Sequence, residues 1–328
     1  MSNDRKIGAV LGLAVGDALG TTYEFARIDQ PAYPALAPGP ASDVVGGGPF
    51  ALAAGQVTDD TQMAVCLARS LAERGRVDVD DLGRRYVAWS AHAFDIGNQT
   101  AAALRRIEAG TPARDAGLAV WRASERKPAG NGSLMRTAPI ALACADPIDA
   151  AIADSLITHA DPRCALACAV FDAALAAAIA GGDLLAAVHA ALPAAARRFA
   201  ELVPGEAEPL AGAVDALERD LAAAASPEPG VYRVELDLQR TAGFVRVAFR
   251  LAFWHAAHTA SWRDALVDVA SRGGDADTNA AITGALLGAR DGASAIPAAW
   301  RERVLSATQP GPAEWADAHH PRHLLALQ

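Results

Sequence analysis

Cysteine and aromatic residues are scarce in this sequence, and their scarcity excludes several classes of protein. The 328 residues include four cysteines, which lack the paired spacing of a zinc site. We expect them to be small buried residues in a reducing compartment. Aromatic residues make up only 5% of the chain, so its 52% hydrophobic content rests on alanine and leucine. This composition favours helices and excludes a disordered chain.

Positive charge is also in short supply. The chain has 29 Lys and Arg residues against 38 Asp and Glu residues, which leaves a formal net charge of −9. Because this average field repels a phosphate backbone, general nucleic-acid binding is not expected. The apolar run at residues 7–15 is too short to span a bilayer and lacks a signal-peptide cleavage site. We therefore expect a cytoplasmic monomer without a membrane segment.

A helical pattern runs through most of the chain. Apolar residues recur three and four positions apart in alanine-rich segments at residues 63–71, 82–89, 165–179, 211–221, 245–254 and 280–287. The one short alternation of polar and apolar residues, at 231–236, predicts an extended piece or a minor ribbon. Strands and helices do not alternate, so the sequence predicts an all-α fold. We expect a single compact multi-helix domain over residues 1–328.

Two regions rich in proline and glycine predict loops. Residues 28–48 contain four prolines followed by three consecutive glycines, which excludes a helix and indicates a long loop lying over another part of the molecule. Further along, residues 204–209 and 226–230 bracket one helix. None of these stretches is typical of a linker between domains, because the composition is the same on both sides.

Two acidic clusters far apart in the sequence each precede an alanine-rich helix. Their oxygen-bearing side chains are Thr58, Asp59, Asp60, Asp275, Asp277 and Thr278. Each cluster alone is typical of a helix N-cap. If the two helix ends meet, however, six oxygen ligands converge, and carboxylates about 4 Å apart repel by about 4 kcal/mol per pair at an effective dielectric of 20. A divalent cation would compensate this repulsion.

The chemistry of these side chains indicates which ion. Oxygen ligands without Cys, and with no His required, favour Mg²⁺ or Mn²⁺ over zinc. Four carboxylates favour a pair of ions, about 3.5–4 Å apart as in two-metal hydrolases. The predicted cofactor is therefore two ions of Mg²⁺ or Mn²⁺, with the number resting on the count of carboxylates alone.

Three further loops carry polar residues that suit either a site or an ordinary turn. Asn131, Gly132 and Ser133 form a glycine-flanked turn whose backbone N–H groups could approach an anion closely. His159 lies at a helix boundary, and Asp95 lies close to a flexible glycine. The alternatives are local: a turn ahead of a helix, a structural histidine and a capping aspartate.

Together these motifs resemble the ADP-ribosylglycohydrolase family. The resemblance rests on GDALG at residues 16–20, TDDT at 58–61, GNGSLMR at 130–136 and GGDADT at 273–278, in this order. Each motif alone is weak, whereas the ordered series is specific. The resemblance covers nearly the whole chain and implies an all-helical domain with a dinuclear metal centre in a cleft. The implied activity is hydrolysis of an ADP-ribosyl bond.

The resemblance also implies roles for individual residues. The six oxygen-bearing side chains of the acidic clusters would hold the metals, three from each side, and the distal ribose would bind there. Asn131, Gly132, Ser133 and His159 would contact the substrate, with the turn at the pyrophosphate and His159 lining the cleft. Glu24 falls where the family has a mobile-loop glutamate over the metals, and the proline-rich stretch after it suits a lid.

Glycosidic hydrolysis needs an oriented ribose, an acid for the leaving group and a base for water. Glu24 and Asp95 are the expected groups for proton transfer to the leaving group, and Asp277 is expected to activate water. These three residues are therefore the predicted catalytic set.

The acceptor that carries ADP-ribose stays open at this point. Protein arginine is the first expectation, which would make the reaction the reversal of mono-ADP-ribosylation. Alternatives are serine-linked or small-molecule ADP-ribose conjugates, and an immunity protein that blocks or reverses an ADP-ribosylating toxin. A non-catalytic, crystallin-like member would show eroded acidic clusters, which these are not. A helical phosphohydrolase of the HD type would need paired His and Asp ligands, whereas the histidines here are scattered.

Overall fold

The computed structural model describes residues 2–327, and within that range the fold contains fifteen α-helices and no strand beyond isolated bridges. The helices are α1 Ser2–Gly20, α2 Asp59–Arg74, α3 Val79–Ser90, α4 Asn98–Glu108, α5 Ala113–Ala123, α6 Pro139–Ala143, α7 Pro147–Thr158, α8 Pro162–Ala180, α9 Leu184–Leu202, α10 Ala207–Ala225, α11 Val245–His258, α12 Trp262–Ser271, α13 Ala276–Asp291, α14 Ala298–Ser306 and α15 Ala313–Ala318. Short 3₁₀ helices span Thr21–Tyr23, Ala293–Ala295 and Pro321–Leu327.

The all-α prediction is confirmed. Each of the six segments with helical periodicity lies inside a helix, and one large cluster of buried apolar side chains runs through the molecule as a common core. The alternation at 231–236 is only an extended turn, in which Tyr232 and Asp237 form one antiparallel bridge. Its residues have too few partners in the described range to form a sheet.

The closest packing in the molecule joins the first helix to the thirteenth. Glycines recur every four residues along α1, which places them on one face of the helix. A Cβ atom added at Gly12 would lie 2.1 Å from the carbonyl oxygen of Gly284, and one at Gly16 would lie 2.2 Å from that of Ala280. The two backbones therefore touch. This contact brings Asp17 of α1 to the N-terminal end of α13.

α8 is long and apolar enough to cross a membrane by length and composition alone. In this fold, 72% of its most apolar window is buried inside the protein. The helix packs against α7, α9, α10 and α13, and the described residues contain no other helix that passes this test. An apolar helix surrounded by other helices is typical of a protein core.

The predicted long loop at residues 28–48 is held against α12. Buried Arg272, at the end of that helix, donates hydrogen bonds to the backbone carbonyls of Pro31 and Ala35 at 2.9 and 3.0 Å. The Tyr33 hydroxyl donates to the Asp268 carboxylate at 3.0 Å. The segment expected to serve as a lid is thus fastened in this structure to the helix that leads into the second acidic turn.

Candidate active site

A cleft of about 510 Å³ opens at the N-terminal ends of α2 and α13. The structure brings nine of the residues predicted from the sequence to its wall: Glu24, Asp59, Asp95, Asn131, Gly132, His159, Asp275, Asp277 and Thr278. Thr58, Asp60 and Ser133 are not among the lining residues and are fully buried. The two acidic clusters therefore face one cavity although more than two hundred residues separate them in the chain.

The N-cap residues of the two acidic clusters do not cap their own helices. Thr58 occupies the N-cap position of α2 and Asp275 that of α13, but neither side chain accepts a hydrogen bond from its own first turn. The capping alternative therefore does not describe these two side chains. Their oxygen atoms remain available to other partners at the positive ends of two helix dipoles.

Asp17 belongs to the GDALG motif, but the sequence analysis gave it no role, and it is central to the geometry. Its carboxylate accepts hydrogen bonds from the backbone N–H groups of Thr58 and Thr61, both at 3.1 Å. It also accepts from the hydroxyls of these threonines, at 3.0 and 2.5 Å. Asp17 thus caps α2 from another helix and fixes the turn that presents Asp59 and Asp60. The available signal was a lone carboxylate that directly follows an apolar run and lies within a quoted motif.

Two groups of carboxylates lie close enough to share ions. Oxygen atoms of Asp17, Asp60 and Asp277 all lie within 4.8 Å of one another, and so do oxygen atoms of Glu24, Asp95 and Asp277. Asp277 belongs to both groups. One oxygen of Asp60 and one of Glu24 are buried without a hydrogen-bond partner among the described residues. Buried acceptors without partners are costly, and a cation bound here would satisfy them.

No positive side chain balances these carboxylates. In the described part of the chain, none of the five forms a salt bridge with lysine or arginine, and their pKa values are displaced upward. Burial raises the pKa of Asp17 to about 6. Burial raises the pKa of Asp95 to about 6, and burial with the charge of Asp95 raises that of Glu24 to about 8. Hard oxygen ligands with uncompensated charge fit Mg²⁺ or Mn²⁺.

The other end of the cleft is built by the glycine-flanked turn and His159. A Cβ atom at Gly132 would lie 2.9 Å from the His159 ring, and one at Gly130 would lie 3.2 Å from its Nε2 atom. Glycine is therefore required for the close approach of backbone and ring. Burial and the charge of Arg136 lower the pKa of His159 to about 3, so the imidazole is neutral. It can form hydrogen bonds to a ligand but supplies no positive charge.

The side chains of Asn131 and Ser133 in this turn form hydrogen bonds within the protein. The Asn131 amide donates to the Asp275 carboxylate at 2.6 Å, which ties the turn to the second acidic cluster. The Ser133 hydroxyl is buried and accepts a hydrogen bond from Ser155 at 2.9 Å. Ser133 can therefore meet a substrate in this conformation only through its backbone.

A buried cation supports the same turn from behind. Arg136 is fully buried and donates to the Gly132 carbonyl at 3.2 Å and to the Asp154 carboxylate at 2.9 Å. Its guanidinium lies over the Tyr86 ring, 4.6 Å from the centroid. The GNGSLMR sequence thus ends in the residue that fixes its own turn, a role that the sequence analysis did not assign.

Comparisons with known proteins agree on one family. The family model described as ADP-ribosylglycohydrolase matches residues 2–323. The ADP-ribosylarginine hydrolase Tri1 of Pseudomonas putida (strain GB-1) is 34% identical over 320 residues, which is 92% of this chain and 74% of the relative.

Two further matches agree. The ADP-ribosyl-[dinitrogen reductase] glycohydrolase of Rhodospirillum rubrum is 30% identical over 307 residues, which covers 92% of this chain and 90% of that protein. A solved structure described as an ADP-ribosylglycohydrolase-related protein complex has a TM-score of 0.68 and 30% identity, and the match covers 99% of this chain and 97% of the other.

Proposed function

Because this chain belongs to the ADP-ribosylglycohydrolase family, we propose that it releases ADP-ribose from the arginine side chains of modified proteins. Family membership itself makes the chain a hydrolase of glycosidic bonds, as the sequence motifs predicted. The choice of arginine is supported by two relatives that carry the name ADP-ribosylarginine hydrolase, at 34% and 30% identity. The observation that carries the proposal is the cleft with its uncompensated carboxylates at one end and its glycine turn at the other.

We propose that the acidic end holds two divalent ions, either Mg²⁺ or Mn²⁺. The proposed ligands are Thr58, Asp59, Asp60, Asp275, Asp277 and Thr278, and Asp17 holds the first three in place. The unpartnered oxygen of Asp60 and the carboxylate groups around Asp277 support this assignment. When bound, such ions orient ribose hydroxyls and make a bound water more acidic.

The protein's own groups then bind the substrate and move protons. In the hydrolysis, the bond between the anomeric carbon and the acceptor nitrogen breaks, and a bond from the same carbon to a water oxygen forms. Asp277 is the proposed group that takes the proton of this water. Glu24 and Asp95 line the cleft and lie within 4.8 Å of Asp277, and we propose that they exchange protons with the leaving group.

The glycine turn is proposed to bind the pyrophosphate through backbone N–H groups, with neutral His159 beside it. The cleft is complete within one chain, which supports action as a monomer. All four cysteines are free thiols, and three of them are buried, which fits the proposed location in a reducing compartment such as the cytoplasm.

Release of ADP-ribose from defined conjugates tests this proposal. The purified chain is incubated with Mg²⁺ or Mn²⁺ and with arginine-, serine- and nucleobase-linked ADP-ribose, and free ADP-ribose is measured. We expect release from the arginine conjugate, and loss of release when EDTA removes the ions. Release only from the serine or nucleobase conjugate would overturn the choice of arginine, and full activity with EDTA would overturn the metal assignment.

A further inference from the structure

An aromatic ring stands exposed at the rim of the cleft. Phe25 follows Glu24 directly, lines the cavity and is 64% exposed, which makes it one of the most exposed large apolar residues in the described chain. Its φ angle is +57°, in the left-handed region that residues other than glycine rarely adopt. An exposed phenylalanine with a disfavoured backbone contributes little to the core.

The second acidic turn holds this backbone in place. The N–H group of Phe25 donates to the Gly274 carbonyl at 2.6 Å, and the N–H group of Gly274 donates to the Ala26 carbonyl at 3.0 Å. Gly274 directly precedes the proposed metal ligand Asp275. A strained residue that its surroundings hold in position is a recognised mark of a functional site. The fold therefore fixes the backbone of Phe25 at the acidic end of the cleft.

Two carboxyl groups share this end with the ring. Glu24 and Asp95 lie in one group of oxygens, within 4.8 Å of each other, and both line the cavity together with Phe25. One oxygen of Glu24 is buried and has no hydrogen-bond partner among residues 2–327. These three side chains therefore line the cavity beside the proposed metal site, where the acceptor attached to a bound ribose would lie.

A guanidinium group matches this combination of side chains. Its planar cation binds carboxylates along its edge and stacks on an aromatic ring with its face. A guanidinium linked to ribose keeps its positive charge, whereas a serine linkage through oxygen is neutral. The ring can therefore distinguish the two acceptors by charge, beyond what apolar contact provides.

We propose that Phe25 is a specificity-determining residue that stacks on the guanidinium of the modified arginine. This inference rests on the proposed function, because it assumes that arginine-linked ADP-ribose is the substrate. In this inference the exposed ring contacts the acceptor part of the substrate and does not contact ADP-ribose. Phe25 then favours arginine-linked over serine-linked conjugates, while the neighbouring carboxyl groups serve both.

Kinetics of a ring-deleting variant test the inference. Phe25→Leu keeps an unbranched Cβ, so the backbone strain is matched while the aromatic face is lost. Cation–π contacts of the usual strength correspond to roughly a 3- to 30-fold effect. We expect kcat/KM for the arginine conjugate to fall by that factor, mainly through KM. Phe25→Trp should retain or exceed the native value, and the calorimetric affinity for free ADP-ribose should stay within about twofold.

Phe94→Leu is the matched control. Phe94 is also partly exposed and precedes Asp95, but it packs on Phe50, with ring centroids 5.3 Å apart, and does not line the cavity. We expect this variant to behave as the native protein does. Weakened affinity of Phe25→Leu for free ADP-ribose would overturn the inference, because the ring would then contact the nucleotide.

Three further outcomes separate the inference from the proposed function. If the native protein cleaves the arginine conjugate and Phe25→Leu cleaves it equally well, only the inference fails. An equal loss toward arginine and serine conjugates has the same meaning. If the native protein releases nothing from the arginine conjugate, the proposed function fails and the inference fails with it.

Discussion

Two sites in this molecule bury aspartate to the same extent and balance its charge in opposite ways. Asp268 of α12 is 0% exposed and accepts hydrogen bonds from Arg272 at 2.7 Å and from His255 at 3.0 Å. Burial alone would raise the pKa of Asp268, but these partners lower it to about 2. Asp60 of α2 is also 0% exposed, yet burial and the charge of Asp17 raise its pKa well above the usual range.

The difference separates a carboxylate whose charge is paired within the protein from one whose charge is not. The Asp268 cluster is complete within the protein, because arginine and histidine supply its counter-charge and the loop at residues 28–48 is tied to it. At the acidic end of the cleft the carboxylates repel one another, and no basic side chain among residues 2–327 forms a salt bridge with them. Perturbed carboxylates in a cleft are typical of functional sites, and this cluster could bind a cation.

The largest expected effect comes from the acidic end. Asp277→Asn removes the carboxylate shared by both groups of oxygens, and we expect hydrolysis of the arginine conjugate to fall on the order of 10³-fold or more. Because the lost charge is buried and unpaired, the metal-free variant should unfold with a free energy no lower than that of the native chain. Release of ADP-ribose and urea unfolding measure the two quantities. Activity within tenfold of the native value would contradict the assigned role.

The second largest effect concerns the Asp268 cluster, where we expect a substitution to lower the stability of the protein. Asp268→Asn leaves Arg272 buried without its counter-charge, and we expect the free energy of unfolding to fall by about 3–5 kcal/mol. Urea unfolding in the presence of EDTA checks this value without interference from bound ions.

Asp264→Asn on the same helix is the control for this measurement. The Asp264 side chain is 57% exposed and lies 3.7 Å from Arg263, so the control should stay within about 0.5 kcal/mol of the native chain. If the two α12 variants were equally stable, the buried cluster would not have the structural role assigned to it.

The smallest expected effect concerns Asp17, whose surroundings combine features of both sites. Asp17 resembles Asp268 in accepting several hydrogen bonds, but its donors are neutral threonine and backbone groups. An asparagine at this position cannot accept from both threonines through both of its terminal atoms. We expect Asp17→Asn to weaken the affinity for Mn²⁺ by about 10- to 100-fold, as measured by calorimetry. Asp4→Asn, on the same helix and away from the cleft, should bind Mn²⁺ with the native affinity. If the two variants bound Mn²⁺ equally well, the role assigned to Asp17 would be contradicted.

The helices were predictable and their pairing was not. Periodicity of apolar residues identifies α2, α8 and α13, because a helix with one buried face has a local pattern in the sequence. The contact of α1 with α13 joins residues about 270 positions apart through backbone atoms, as at Gly12 and Gly284. A pattern of neighbouring residues in the sequence cannot reveal such a contact. The position of Asp17 beside the acidic clusters depends on the contact of α1 with α13.

The candidate site was also predictable only in part. Residue types and motif order selected the five carboxylates that line the cleft, but they gave no role to Asp17, which lies beside them. The direction of each side chain depended on packing that the sequence does not display. The amide of Asn131 binds Asp275, and Ser133 turns into the core, because the backbone of this turn is pressed against His159 and tied to Arg136.

Anomalous diffraction from crystals soaked in Mn²⁺ tests the central claim most directly. The claim is that two acidic turns, brought together by the contact of α1 with α13, hold divalent ions that balance their carboxylates. It predicts two anomalous peaks at the acidic end of the cleft, with Asp60 and Asp277 among the contacts, and none at Asp268. A map with no peak in the cleft would contradict it.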